Sequence, residues 1–374
     1  MDTPRGGIRL GTFVGAPVIL SPSWFLIALF VMFTFGPSVQ DYLPELSRGQ
    51  DYLVAATYAL LLLVSVLVHE LAHAILAKAY GLPVTVIVAD VWGGHTQFAS
   101  EANRPLPSAV VSFGGPAANF VFATIGLAVR HQANGGVIDL LGNALFLANL
   151  LLAVFNLLPG LPLDGGRVVE SLVWGVSGQR SVGTLVAGWC GRVVAIGVLF
   201  FGVLLPIYRD GAPDATLLIW SALIAGLLWT GASQALHWGG MRRRAGRLDA
   251  RRLARPAVPV QATWTLAEVQ DLATRQQVSD IVVLDPNGVP FGLVTLDAVE
   301  QVISTGRPQT EVQSLMHALP PYAVLPAATS GEILLQVLSQ TPATPTYALV
   351  DDQGRVGLVA GRDLVAAMGA RSRS

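Results

Sequence analysis

His69, Glu70 and His73 stand in the order His-Glu-Leu-Ala-His. On a helix, residues four apart share a face, so the two imidazoles can hold one divalent metal between them. Glu70 follows the first histidine directly, where its carboxylate can take a proton from a metal-bound water as a general base. The surroundings sharpen this reading. From Tyr52 up to His69 the chain runs YLVAATYALLLLVSVLVH without a carboxylate, lysine or arginine. A run of that composition crosses a bilayer as a helix, which takes about 20 apolar residues. Ionisable groups at membrane depth are costly unless they line a polar cavity or bind something. The plain alternative is a helix end dipping into cytosolic water.

Further along, the chain reads Asn156-Leu157-Leu158-Pro159-Gly160-Leu161-Pro162-Leu163-Asp164-Gly165-Gly166-Arg167. Two prolines and three glycines break the helix and bring irregular backbone and a carboxylate to the membrane edge. Asp164 is a hard oxygen ligand that would complete a two-histidine, one-carboxylate zinc site with the fourth position left to water. Its plain alternative is an N-cap for a helix starting near Gly165. Asn143, Asn149 and Asn156 lie in the segment before this turn. Asn149 is placed either to donate a hydrogen bond to a reacting carbonyl or simply to bond a neighbouring helix. Asn119, in Gly114-Gly115-Pro116-Ala117-Ala118-Asn119, also needs a partner among small packing residues.

The elements that must position these groups are membrane helices. Hydrophobic residues make up 52% of the 374 and charged ones 13%, with a mean hydropathy of +0.57, which marks a polytopic membrane protein. A net charge of −1 argues against nucleic acid as a partner. The single cysteine, Cys190, excludes a disulfide framework and a cysteine-based zinc site. Six apolar segments are predicted: Val18 to Phe35, Tyr52 to Ala79, Leu106 to Val129, Val137 to Leu158, Gly183 to Ile207 and Ala215 to Trp238. Arg5, Arg9, Lys78, Arg104, Arg167, Arg180 and Arg242 to Arg244 all fall on one side, which predicts cytosolic termini. Between the second and third segments, Val84 to Val91 is β-branched and Gly93-Gly94 breaks it. This predicts a small hairpin dipping into the membrane, with His95 at its tip and an open strand edge that an extended peptide could join.

After the basic linker MRRRAGRLDARRLARP the chain turns polar and alternates strands with helices. DIVVLDPNGVPFGLV, Asp280 to Val294, reads as strand, turn and strand before a helix near Asp297. The pattern returns about 66 residues later in YALVDDQGRVGLV, Tyr347 to Val359, before a helix from Asp363.

Together, HELAH in an early span, the Gly-Gly hairpin, GPAAN in the third segment and NLLPGLPLDGGR resemble the site-2 protease family of intramembrane zinc metalloproteases. The resemblance covers roughly residues 10 to 240. It implies a polytopic helical fold of about six spans with a membrane-associated hairpin, in the cell membrane. It also implies one zinc per chain on His69, His73 and Asp164, with Glu70 activating water and Asn149 positioning substrate or oxyanion. The implied partner is a single-span membrane protein such as an anti-sigma factor. The tail is similar to a cytosolic α/β pair of CBS motifs, read as 256–306 and 307–370 after a linker at 241–255, with the membrane-embedded domain at 1–240. That likeness implies an adenine nucleotide near Thr295, Asp297 and Asp363, and homodimers through the pair. The second copy departs from it, with Ala360 where the first has Thr295. Because CBS pairs also sit on ion transporters, a gated transporter or channel is the competing reading.

Overall fold

The computed structural model describes residues 7–91, 93–210, 215–246, 249–329, 331–341 and 344–367. Arg5, Trp92 in the hairpin and residues 368–370 of the second CBS motif lie outside them. The chain divides into two compact units, 1–237 and 238–374.

In the first unit the chain opens as a hairpin, β1 (Ile8–Phe13) and β2 (Ala16–Leu20), joined at Val14 and Gly15. Both turn residues have positive φ, 48° and 94°, the twist that suits a two-residue hairpin loop. This corrects the first predicted span. Val18 and Ile19 belong to a strand, and Pro22 separates it from helix α1 (Trp24–Tyr42), so the apolar run from Val18 covers a strand and a helix start. Helix α2 (Arg48–Ala79) carries the His-Glu-Leu-Ala-His sequence close to its C-terminus. Strands β3 (Val84–Asp90) and β4 (Gly93–Phe98) follow.

The four strands form one sheet in the order β1-β2-β3-β4, with β2 and β3 parallel. The hairpin is therefore half of a sheet, and β3 is flanked on both sides. Val18 pairs with Ile87 and Ile19 with Val88, which buries Ile87 completely and contributes about 1.5–3 kcal/mol by removing its side chain from water. The open edge expected at Val84 to Val91 is instead β4.

Helices α3 (Pro105–Gln132) and α4 (Gly136–Asn156) pack closely. A Cβ on Gly126 would lie 2.5 Å from the backbone nitrogen of Phe146, so the two backbones touch where small residues permit it. Helix α5 (Asp164–Ser177) is short and amphipathic. Helix α6 (Arg180–Leu199) runs through a wide turn, Phe200–Leu204, into α7 (Leu205–Asp210), and α8 (Ala215–Ala245) follows. Six helices among the described residues are long and apolar enough to cross a membrane: α1, α2, α3, α4, the α6–α7 run and α8. Their outward side chains are large and apolar, among them Phe33, Leu53, Leu151 and Phe201, as a lipid-facing surface requires.

The second unit repeats itself. Strand β5 (Arg255–Gln261), helix α9 (Leu266–Gln276), strands β6 (Asp280–Leu284) and β7 (Pro290–Thr295) and helix α10 (Leu296–Ser304) form one copy. After the short β8 (His317–Ala318) come β9 (Val324–Pro326), α11 (Gly331–Gln340), β10 (Thr346–Val350), β11 (Val356–Ala360) and α12 (Gly361–Ala367). The copies share one seven-stranded sheet ordered β8-β7-β6-β5-β11-β10-β9. Even the turns match. Asp285 Oδ1 accepts from the backbone of Asn287 and Val289 at 2.9 and 2.8 Å, and Asp351 Oδ1 from that of Gln353 and Arg355 at 2.9 and 2.8 Å. Residues 241–255, read as a basic linker, contribute Ala245 and Ala250 to the core around Leu334, Tyr347 and Leu364.

Candidate metal centre and active site

His69 and His73 project from one face of α2 and are 8% and 7% exposed. Their Nε2 atoms lie 3.1 Å apart. Asp164 Oδ2 stands 3.1 Å from the first and 3.3 Å from the second. The aspartate is the first residue of α5; Leu163 occupies the cap position and no side chain caps the helix. The N-cap alternative for Asp164 is thereby set aside, and its carboxylate turns to the imidazoles.

The tautomer of His73 tests whether a cation fits. Its Nδ1 donates to the carbonyl of Val111 on α3 at 2.7 Å, so the neutral ring presents an Nε2 lone pair to the other two groups. The His73 Nε2 lone pair and the Asp164 carboxylate then converge beside His69 Nε2 with no donor shared between His73 and Asp164, an arrangement that a bound cation stabilises. Among the described residues His69, His73 and Asp164 are the group able to hold a metal ion. Gly115 on α3 closes one side of the triangle. A Cβ there would sit 2.5 Å from both Nε2 atoms, so the centre is backed by bare backbone.

The turn bearing Asp164 is built the same way. A Cβ on Gly165 would strike the carbonyl of Leu157, one on Gly166 the backbone of Gly160, and one on Gly191 of α6 the carbonyl of Leu161. A Cβ on Gly231 of α8 would lie 2.7 Å from Pro162. Strong packing of backbone on backbone therefore sets the aspartate's height against α2.

Glu70 is 5% exposed, and its Oε2 accepts from Thr96 Oγ1 on β4 at 2.7 Å. Gly94, two residues earlier and on the same face of β4, lies against the Glu70 side chain; a Cβ there would fall 2.7 Å from Cγ. The edge strand thus rests on the glutamate. His95, between these two, faces the other way and pairs with Asp90 at 3.6 Å. Thr96, Gly94 and Gly115 were not read as site residues from sequence. Only the break at Gly93-Gly94 and the small-residue run in the third segment hinted at them.

Asn149 is fully buried and donates from Nδ2 to Ser65 Oγ and to the carbonyl of Leu145, both at 2.9 Å. Ser65 is one turn before His69, so this amide ties α4 to α2 at the level of the centre. Asn143 accepts from Arg130. In the second unit Thr295 ends β7 and precedes α10, Asp297 lies in the first turn of α10 and Asp363 in that of α12; all three are exposed.

Comparison with known proteins bears on these groups directly. The sequence profile described as Peptidase family M50 matches residues 57–144 and 125–200, which include His69, Glu70, His73 and Asp164. A Synechocystis protein whose name, sll0528, carries the provisional description of a zinc metalloprotease is 29% identical over 95% of this chain and 93% of its own length. Across the residues that carry this site, the chain resembles the site-2 protease family, peptidase family M50. Rip3 of Mycobacterium tuberculosis, provisionally named as a zinc metalloprotease, is 29% identical over 96% of this chain and 92% of its own length. The solved site-2 protease of Methanocaldococcus jannaschii is 26% identical, covering 62% of this chain and 95% of that one with a TM-score of 0.42. A solved CBS-domain protein of Bacillus anthracis is 18% identical and covers 35% of this chain and 99% of that one, with a TM-score of 0.26. By the profile match and these relatives the chain is a multi-pass membrane metalloprotease, and the transporter alternative is set aside; its tail repeats one strand-turn-strand-helix unit.

Proposed function

We propose that this protease hydrolyses a peptide bond within or beside the membrane-spanning segment of a single-span membrane protein. His69, His73 and Asp164 hold one zinc ion, and Glu70 is the general base. The observation that carries the reading is the convergence of two Nε2 atoms and one carboxylate oxygen beside a buried glutamate. Zinc at this point supplies a Lewis acid and lowers the pKa of a bound water toward ~7. Glu70 receives the proton as the water oxygen adds to the scissile carbonyl, and returns it to the amide nitrogen as the C–N bond breaks. Thr96 orients the Glu70 carboxylate through Oε2. Asn149 holds α4 against α2 at the level of Ser65; donating to a substrate carbonyl requires it to open one of its two present hydrogen bonds.

A membrane helix shields its own peptide bonds, so the substrate must be held extended near the metal. The edge of β4 supplies main-chain hydrogen bonds with little demand on substrate sequence. Proline scanned singly through His95, Thr96 and Gln97 is expected to lower cleavage by up to about tenfold, roughly the cost of one lost strand bond, with zinc content unchanged. If all three variants cleave like the wild type, the substrate is held elsewhere. Gly115→Ala is expected to lose most of its zinc while helical content by circular dichroism is unchanged. Equal zinc in wild type and variant would mean that α3 does not press on the imidazoles.

The substrate class fitting this chemistry is a signalling precursor such as a membrane-bound anti-sigma factor, in the cell membrane with both termini of the protease cytosolic. Substrate trapping in cells with Glu70→Gln, followed by mass spectrometry of the captured protein, tests it; recovery of soluble proteins alone would reject an intramembrane substrate. In the same reading the tail binds an adenine nucleotide near Thr295, Asp297 and Asp363 and pairs two chains. Residues 238–374 expressed alone should fold, and ATP or AMP should raise their melting temperature. Folding without a shift rejects the nucleotide and leaves the domain.

A further inference from the structure

Arg192 is a cation on a membrane-spanning helix that the proteolytic site does not use. Its guanidinium carbon lies 4.9 Å from the ring centre of Trp189 on α6 and 4.8 Å from that of Trp229 on α8. One Nη donates to Ser233 Oγ at 3.3 Å, and Nε is buried without a hydrogen-bond partner. Among the described residues no carboxylate pairs with it, in contrast to Arg180, which meets both Glu101 and Glu170. A guanidinium left without a counter-ion in such a helix is expensive, and the two indole faces offset only part of that cost.

The surroundings say where the missing anion comes from. Trp189 and Trp229 are 59% and 42% exposed, on the same outward surface as Val193 and Ile196. Lipid-facing tryptophans gather at the headgroup level of a bilayer. Beyond the arginine, α6 and its continuation are apolar from Val193 to Tyr208, and α8 is apolar from Ala215 to Leu228. At 1.5 Å per residue these stretches span about 24 and about 21 Å, somewhat short of a ~30 Å hydrocarbon layer. Arg192 and Trp229 lie at the same end of these two stretches, where a bilayer that thins locally would bring its headgroups within reach of them.

We propose that Arg192, between Trp189 and Trp229 and beside Ser233, binds the phosphate of an anionic phospholipid, with the acyl chains lying along the exposed apolar surface of α6 and α8. The planar guanidinium suits contact with phosphate oxygens, and the Nη that does not bond Ser233 is the donor still unspent toward the surface. The lipid would brace the side of the α6–α8 pair whose neighbouring residues, Gly191 and Gly231, pack against Leu161 and Pro162 in the turn that carries Asp164.

The test uses the full-length, zinc-loaded protein. Native mass spectrometry after exposure to an equimolar mixture of phosphatidylglycerol and phosphatidylcholine should show one phosphatidylglycerol retained with about fivefold preference, the value of one favourable basic contact near a membrane surface. Arg192→Gln should abolish the preference without changing zinc content. Equal retention of the two lipids by the wild type, or an unchanged preference in Arg192→Gln, overturns the proposal. So does displacement of the lipid by inorganic phosphate, which would make this a free-anion site. Quenching of wild-type tryptophan emission by brominated-chain phosphatidylglycerol, measured against brominated phosphatidylcholine, gives a reading independent of any variant; equal quenching likewise overturns it.

Discussion

Glu70→Gln is expected to retain stoichiometric zinc and to lose cleavage by roughly 10²–10⁴-fold, the range in which a positioned general base contributes. The amide has nearly the shape of the carboxylate and can still take the hydrogen bond from Thr96 Oγ1 that now reaches Oε2 at 2.7 Å. It cannot accept the proton of the attacking water. The contrast between unchanged metal and lost turnover is the informative part, because a variant that merely unsettled α2 would lose both. Zinc by elemental analysis and cleavage of a reconstituted membrane substrate are the two readouts. Near wild-type cleavage by Glu70→Gln would remove Glu70 from the role of base.

The second large effect lies in the ligands. His73→Ala and Asp164→Ala are each expected to lose bound zinc and all measurable cleavage. The drop should exceed the roughly 10–100-fold that follows from removing a partner behind a ligand, because each change removes a direct donor. Asp164→Asn isolates the charge, since it keeps the shape of the side chain beside the two Nε2 atoms at 3.1 and 3.3 Å. It should bind zinc more weakly than wild type. Stoichiometric zinc in His73→Ala, or none in wild type, would dismiss the three-ligand centre.

How far the sequence could be read depended on the range of the interaction. The spacing of His69 and His73 is a local property of a helix, and Asp164 stands out because prolines and glycines isolate it. Both were therefore legible, and so were the six spans and the repeat in the tail. The N-terminal hairpin was not. Ile8 to Phe13 is exposed along its whole length and carries no burial pattern, and Val18 to Leu20 merges with the apolar start of α1. The parallel pairing of Val18 with Ile87 joins segments distant in the chain, which no local alternation announces. That pairing places β3 inside the sheet and leaves β4 as the edge. Gly94, Thr96 and Gly115 escaped for a related reason: each acts through a neighbour on another element, and nothing in its own surroundings in the chain names that neighbour.

The glycine turn beneath Asp164 has a consequence for how this protein can vary over generations. Side chains at most helix contacts can be exchanged and the neighbours repacked, so a family drifts there by compensated substitution. At Gly165, Gly166 and Gly191 the opposing atoms are carbonyls and backbone carbons, which have no alternative identity to change to. No second-site replacement restores the fit, because the atoms struck first belong to the main chain; beside Gly191 the Ala232 Cβ stands farther off, at 3.1 Å. Saturation mutagenesis across the turn should therefore return a comb: tolerance at Leu158 and Leu163, and glycine alone at these three positions. The height of the aspartate above α2 is then inherited as a property of the main chain, beyond the reach of gradual tuning.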